Sequence, residues 1–155
     1  MQTELLAKIK ESCPQAAEEA AKEGEYRDPA PVLTVPKESL AALCKLLRDD
    51  AALAFDYLMN LTAVDYKDRL VMVYQLYSMR LKHKITLKAA LPTDGPAIDS
   101  VTSVWKGADW LEREVFDLFG VTFTGHPDPR RILLPEDWVG HPLRKNYTRE
   151  PDRYD

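Results

Sequence analysis

The sequence predicts an α+β fold, a mainly antiparallel sheet with helices packed on one face, followed by an extended proline-rich C-terminal arm. Three observations predict it. Apolar residues alternate along three segments between residues 55 and 89, leucines recur at helical spacing before and after them, and five of the eleven prolines lie beyond residue 125. A chain of 155 residues, 45% of them hydrophobic, fits one domain. We expect an α+β domain over residues 1–125 and a docking arm over 126–155 that belongs to the same domain.

The N-terminal part of the chain is expected to be helical. Residues 3–23 predict a helix in two pieces, because Leu5, Leu6 and Ile9 have helical spacing and Ser12 with Gln15 resembles a capping box that starts a second piece. A link rich in Gly and Pro follows over 24–31, and 32–35 reads as a short strand that Pro36 ends.

The middle of the chain predicts one helix and three strands. Four leucines on one face indicate a helix over residues 38–48. Residues 55–65 and 70–79 read as strands joined by a polar hairpin turn at 66–69. Residues 84–89 alternate Lys or Thr with apolar side chains, which is typical of a half-exposed antiparallel strand. In residues 55–65 the alternation places the following side chains on one face: Phe55, Tyr57, Met59, Leu61 and Ala63.

Two more helices are expected, a short one near residues 97–104 and a charged one after it. Asp109 is a suitable N-cap with Glu112 three positions on, and Gly120 is well placed to end the helix. The apolar stripe expected to face the sheet comprises Leu111, Val115, Leu118 and Phe119. The opposite face carries Trp110, Arg113, Glu114 and Asp117.

A tryptophan among charged side chains is seldom left in water, so something is expected to cover Trp110. In one interpretation Arg113 pairs with Asp117 on the surface and the arm folds back over the tryptophan. In the other, this face joins Arg130 and Arg131 in an interface to a neighbouring protein. The sequence leaves both open.

The arm carries six cationic and six anionic residues together with apolar ones such as Ile132 and Trp138. A solvated disordered tail is usually poor in apolar residues and of one sign of charge. The prolines exclude a long helix or a central strand. The sequence therefore predicts an ordered arm that docks on its own domain and on a partner.

Composition excludes several functions. The net charge is −4 and no basic block exceeds two adjacent residues, which is a poor footprint for nucleic acid. Cys13 and Cys44 stand alone, and an iron–sulfur cluster usually takes four thiolates. Nucleotide-binding glycine motifs and nucleophile motifs are absent from the sequence. No apolar run approaches the ~20 residues of a transmembrane helix, and the acidic first 28 residues predict neither an export signal nor a transit peptide.

A stand-alone enzyme remains as an alternative. A metal-dependent hydrolase would use Glu112, Glu114 and Asp117 with His126 or His141. Both histidines precede proline, and they lack the close spacing of a metal motif. We expect their side chains to bond loop carbonyls instead.

Five motifs carry a resemblance to a known family. They are ERE at 112–114, DLFG at 117–120, GHP at 125–127, RRIL at 130–133 and GHPLRK at 140–145. With residues 55–65, which look like the family's central strand, they resemble the thirty-kilodalton subunit of respiratory complex I, which is the C subunit of the bacterial NADH:quinone oxidoreductase.

The resemblance implies a non-catalytic peripheral-arm subunit of a proton-translocating complex, on the cytoplasmic side of a bacterial inner membrane. It would scaffold the quinone-site (49 kDa-type) and iron–sulfur subunits, and the partners would carry the FMN, the clusters and the quinone. The equivalent subunit of a membrane-bound hydrogenase or ferredoxin-linked complex is the alternative. The residues expected at the subunit interface are Trp110, Arg113, Glu114, Asp117, His126, Arg130, Arg131, Trp138, His141, Arg144 and Lys145.

Overall fold

A computed structural model describes residues 2–20 and 29–149 of the chain. Its elements in chain order are α1 (Gln2–Ser12), β1 (Ala17–Glu18), β2 (Val32–Thr34), α2 (Lys37–Asp49), β3 (Tyr57–Asp65), β4 (Leu70–Tyr77), β5 (Lys84–Leu91), β6 (Ala97–Asp99), α3 (Ala108–Phe119) and β7 (Thr122–Thr124). The predicted α+β class with a mainly antiparallel sheet is confirmed. No helix among these residues has the length and apolar character needed to cross a bilayer.

The main sheet has the strand order β1-β2-β5-β4-β3. The pairs β3/β4 and β4/β5 are antiparallel, and β2 joins β5 in parallel. The predicted turn at 66–69 connects β3 to β4, with the Tyr66 N–H donating to the Arg69 carbonyl. Helix α2 packs against β5, α3 packs against β3, and the inward side chains of the three long strands join those of both helices in one core.

The second half of the predicted N-terminal helix is wrong within the described residues. A turn at Pro14 and Gln15 ends the helical path, and residues 17–18 pair as β1 with β2. The Ser12 hydroxyl donates to the Lys8 carbonyl inside α1 and caps nothing. Pairing to a distant strand has overridden the helix propensity of Ala and Glu here. Residues 21–28 lie outside the described residues.

The short helix predicted near 97–104 is also wrong. Residues 97–99 form β6, which pairs in parallel with β7, so that Ile98 lies opposite Phe123. Turns follow at 102–104. The partner strand begins more than twenty residues later, and local periodicity carries no information about such a pairing.

A β-bulge in β3 changes which side chains reach the core. The register with β4 shifts between Leu58 and Asn60. Phe55, Leu61 and Ala63 are buried as predicted, but Tyr57 and Met59 are exposed. An extra residue in a strand moves the side chains before it to the other face of the sheet, so simple alternation fails on one side of the bulge.

The bulge makes a testable distinction between two side chains that alternation places on one face. Leu61→Ala should lower the free energy of unfolding by about 2–5 kcal/mol, because it leaves a cavity in a closed core. Met59→Ala should change it by less than about 0.5 kcal/mol. Urea unfolding of both variants measures this, and similar losses in the two would contradict the bulged register.

Candidate functional site

The N-terminus of α3 is built differently from the prediction. Gly107 occupies the N-cap position without a side-chain cap, and Asp109 lies inside the helix. Glu112 is fully buried and does not complete a capping box. Its carboxylate accepts the Val101 N–H and the Ser100 hydroxyl, each at 2.7 Å. Glu112 thus ties α3 to the segment that follows β6.

Burial raises the pKa of Glu112, and this effect exceeds the lowering by the Val101 N–H, the Ser100 hydroxyl and the nearby His126. The ordinary pKa is 4.5. The ionised carboxylate is therefore less favourable in the folded state than in the unfolded one.

Asp117 was expected on the outward face of α3, and it is 0% exposed because the arm lies over it. Its Oδ2 atom accepts three successive backbone N–H groups, from Ile132 at 3.1 Å, Leu133 at 2.8 Å and Leu134 at 2.9 Å. Its Oδ1 atom accepts Arg131 Nη1 at 2.7 Å. The arm covers this face of the helix, which helical periodicity alone cannot show.

Burial by itself would raise the pKa of Asp117. Arg131 and the backbone N–H groups of Leu134, Leu133 and Ile132 outweigh burial and hold the pKa below its ordinary value of 3.8. The carboxylate therefore stabilises the folded state at neutral pH.

Arg131 closes part of the arm into a loop. Its Nη1 also donates to the Asp117 carbonyl, and its Nη2 donates to the carbonyls of Trp138 and Gly140, each at 2.9 Å. One guanidinium thus joins both ends of residues 131–140, which we name the tip loop. The loop contains a turn in which the Trp138 N–H donates to the Pro135 carbonyl.

The predicted surface pair of Arg113 with Asp117 does not form. Arg113 donates to the carbonyls of Arg130 at 3.1 Å and Arg131 at 2.9 Å, and its Nη1 lies 3.7 Å from a carboxylate oxygen of Asp128. The first part of the arm therefore lies along α3, anchored by main-chain carbonyls.

The two arm histidines bond backbone carbonyls, as expected, but both carbonyls belong to helix α3 and not to a loop. His126 Nδ1 accepts the Asp128 N–H, so Nε2 carries the proton and faces the Asp109 carbonyl at 3.1 Å. His141 Nδ1 lies 2.9 Å from the Asp117 carbonyl and donates to it. Gly120, in the left-handed region at φ 75°, ends α3 as predicted. A Cβ there would lie 2.6 Å from the His141 ring.

A second acid, which the sequence analysis missed, anchors the far end of the arm. Asp65, buried at the end of β3, accepts the N–H groups of Lys67 at 2.8 Å and Lys145 at 2.9 Å. Its Oδ2 lies 3.3 Å from Arg144 Nε, and Arg144 also donates to the carbonyls of Thr93 and Phe119. The only signal in the sequence was an acid on the inward face of a strand just before a polar turn.

The expected interface residues therefore divide into two groups. Six bond within the chain beneath or along the arm: Arg113, Asp117, His126, Arg131, His141 and Arg144. Five have exposed side chains: Trp110, Glu114, Arg130, Trp138 and Lys145. The interpretation in which the arm folds over Trp110 is wrong, because that side chain remains 71% exposed.

The residues of the hydrolase alternative are not gathered into one site. Glu112 and His126 approach to 3.8 Å at the start of α3, Asp117 and His141 meet at its end through a main-chain oxygen, and Glu114 is exposed. Within residues 2–20 and 29–149, no group of three or more His, Cys, Asp or Glu side chains is arranged to hold a metal ion. An open groove of about 890 Å³ lies between the 93–96 turn and residues 137–149 of the arm.

Comparison with solved structures identifies the fold. The chain is similar to a trypsin-resistant fragment of Nqo5, with a TM-score of 0.64, 26% identity, and 83% of this chain and 99% of that one covered. It shares its fold with a chain of the membrane-bound sulfane sulfur reductase, an archaeal respiratory membrane complex, with a TM-score of 0.72, 22% identity, and 94% and 85% of the two chains covered. The fold is thus one used in a respiratory membrane complex.

Comparison of sequences identifies the family. Residues 33–153 match the respiratory-chain NADH dehydrogenase 30 kDa subunit family, to which this chain belongs. It is 48% identical over 119 residues to the C subunit of the NADH-quinone oxidoreductase of Geobacter metallireducens, covering 74% of this chain and 72% of the relative. With the corresponding protein of Citrifermentans bemidjiense it is 47% identical over 133 residues, covering 83% and 81%.

Asp117 should be essential for docking the arm. Asp117→Asn should lower the free energy of unfolding at pH 7 by about 3–5 kcal/mol, because Arg131 loses its buried counter-charge. Trypsin cleavage after Arg144 and Lys145 should also become faster. Because the pKa of Asp117 is lowered, its contribution is complete above pH 3.8, and the difference between wild type and variant should shrink as the pH falls below that value. Asp128→Asn, at a partly exposed acid of the arm, is the control; an Asp117 variant as stable as this control would refute the role.

Glu112 should show the opposite pH dependence. Because its pKa is raised, its ionisation costs stability, and the cost develops as the pH rises from 4.5 through the raised pKa. Wild type should therefore lose stability relative to Glu112→Gln over this interval. Urea unfolding from pH 4.5 upward to neutral pH, with Glu114→Gln as the exposed control, measures the difference. A difference that does not change with pH would contradict the expected ionisation of Glu112.

Proposed function

We propose that this chain is the C subunit of a proton-translocating NADH:quinone oxidoreductase, a scaffold that holds neighbouring subunits and supplies no catalytic residue. The observation that carries the proposal is the family match over residues 33–153, which includes β3, α3 and the described part of the arm. The internal bonding of the arm supports it. Of the groups that resemble catalytic ones, Asp117, His126 and His141 position the arm. Glu112 ties α3 to the segment after β6, and Glu114 is exposed, so the five face no common cleft.

The cofactors of the reaction are assigned to the partners in this proposal. Those are the FMN, the iron–sulfur clusters and the quinone of the quinone-site (49 kDa-type) and cluster-bearing subunits. Cys13 and Cys44 are buried free thiols, and burial raises the pKa of Cys44 far above its ordinary value. Cys44 is therefore a neutral thiol at neutral pH, which is the less reactive form. The net charge of −4 and the absence of long basic blocks from the sequence favour protein partners over nucleic acid.

The interface is proposed to consist of the outer side of the arm, residues 126–155, with the exposed face of α3. Trp110, Glu114, Arg130, Trp138 and Lys145 would contact partners directly. The bonded group under the arm would hold it in place. Exposed tryptophans of this kind are typical anchors of protein–protein interfaces, because they bury a large apolar area at low entropic cost.

We place the subunit on the cytoplasmic side of a bacterial inner membrane, attached to it only through the other subunits. The fold shared with a chain of a sulfane sulfur reductase keeps open an equivalent place in a hydrogenase-linked or ferredoxin-linked complex. The electron donor of the recovered complex distinguishes these.

Recovery of the complex through a tagged chain tests the proposal. In cells that lack the native gene, the tagged chain should recover NADH:quinone reductase activity, flavin and iron from detergent-solubilised membranes. The chain purified alone should be colourless. Recovery of hydrogenase or ferredoxin-dependent activity instead would select the alternative, and a metal-dependent hydrolase activity of the chain alone would overturn the proposal.

Trp110→Ala tests the interface separately from the fold. Since the side chain is exposed, its removal should shift the thermal midpoint of the free chain little but reduce recovery of the complex about tenfold or more. Met79→Ala, which removes another exposed apolar side chain remote from the arm in sequence, should affect neither. Full recovery with Ala at position 110 would remove Trp110 from the interface.

A further inference from the structure

The tip loop is a closed and pre-organised element. Arg131 joins its two ends through the carbonyls of Trp138 and Gly140, and Asp117 fixes three successive N–H groups at its start. Main-chain groups are thus bonded at both ends and at the internal turn. A loop held in one conformation loses little conformational entropy when it binds.

The outer side of the tip loop is apolar. Val139 is 87% exposed and Leu133 is 62% exposed, with Trp138 beside Val139 also exposed. Trp138 and Val139 are adjacent in the chain and both line the open groove beside the 93–96 turn. The bonds of Arg131 bring residues 138–140 next to the start of the loop, where Leu133 lies. An apolar cluster held away from its own core by fixed main-chain bonds indicates a partner surface.

Apart from Arg131, which joins its two ends, the charged residues of the tip loop are acidic. Glu136 and Asp137 are both exposed, and within the part of the chain that the structure describes neither lies at ion-pair distance from a base, although Glu136 interacts electrostatically with Arg130. The cation just before the loop, Arg130, is bonded to Asp128 with an Nη2–Oδ2 distance of 2.9 Å. Arg131 is the only base inside the loop, and Asp117 neutralises it.

We infer that the tip loop inserts as a preformed unit into an apolar recess with a lysine- or arginine-rich rim on a neighbouring subunit. This inference rests on the proposed function and specifies the chemistry of the partner. Leu133, Trp138 and Val139 supply the apolar contact, and Glu136 with Asp137 pair with the basic rim. Complementary charge at the rim orients the partner, while the apolar centre supplies most of the affinity.

Charge decides between a protein and a membrane as the occupant. Apolar side chains beside basic residues are typical of elements that bind anionic lipid surfaces. The tip loop has the opposite sign, so an anionic bilayer repels it. A second copy of the chain would bring the same two acids against each other if it docked loop to loop, which also disfavours self-association.

Charge reversal in assembled complexes tests the inference. Glu136→Lys with Asp137→Lys should reduce recovery of the complex about tenfold or more, with the thermal midpoint of the free chain unchanged. Glu11→Lys with Asp68→Lys makes the same charge change at exposed sites outside the arm and should assemble as wild type does. Normal assembly of the tip-loop variant would overturn the inference.

The apolar part is tested by Val139→Ser and by cross-linking. Because Val139 is exposed, the substitution should leave the free chain stable but reduce recovery of the complex. A photo-reactive residue at position 139 should cross-link in the assembled complex to one subunit, at a site flanked by Lys or Arg. Cross-links to several subunits, to sites without bases or to nothing would overturn the inference.

Two controls separate failure of this inference from failure of the proposed function. If the tagged wild-type chain recovers no respiratory complex, the proposed function fails. If the wild-type chain recovers the complex and the tip-loop variants recover it equally well, only the inference fails.

The occupant is checked with phosphatidylglycerol-containing vesicles and by light scattering of the free chain. Vesicle binding or dimerisation of the wild-type chain that Val139→Ser abolishes would assign the loop to lipid or to a second copy instead.

Discussion

The arm depends on how the last turn of α3 obtains its hydrogen-bond donors. A helix leaves its final four carbonyls without partners in the helix. Here the carbonyls of residues 116–119 accept bonds from Gly120, from Arg131 with His141, from Leu143 and from Arg144. Asp117 adds a buried carboxylate at the same place. Both the negative end of the helix dipole and the full negative charge of Asp117 therefore attract the cations and N–H groups of the arm.

This arrangement explains why sequence reading of the charged motifs succeeded only in part. Alternation and leucine spacing identified the long strands and α2, and Gly120 identified the end of α3, because these signals reflect local geometry. The position of Asp117 followed from a segment fifteen residues away, and β6 depended on pairing with β7. Neither of these long-range contacts produces a periodic pattern in the sequence. The bulge near Met59 likewise breaks alternation without any glycine or proline to announce it.

The acids of the site show that residue type does not decide the role of a charge. Asp117 and Asp65 are buried, yet N–H groups and arginines lower their pKa values, whereas Glu112, which has no arginine partner, has a raised pKa. Arg113, Arg131 and Arg144 look available for a partner in the sequence, but they bond within the chain. What the tip loop presents outward is therefore apolar and acidic, which is the reverse of what the arginines of the arm suggest.

The bond between the Asp65 carboxylate and the Lys145 N–H joins residues eighty positions apart in the chain. Contacts of such separation form late in folding, because a long loop must be closed before they contribute. The arm is also synthesised after β3 and α3, which are then already available as its template. The surface that it presents is thus completed after the rest of the domain, and a chain truncated or still nascent before residue 145 has no finished arm to offer.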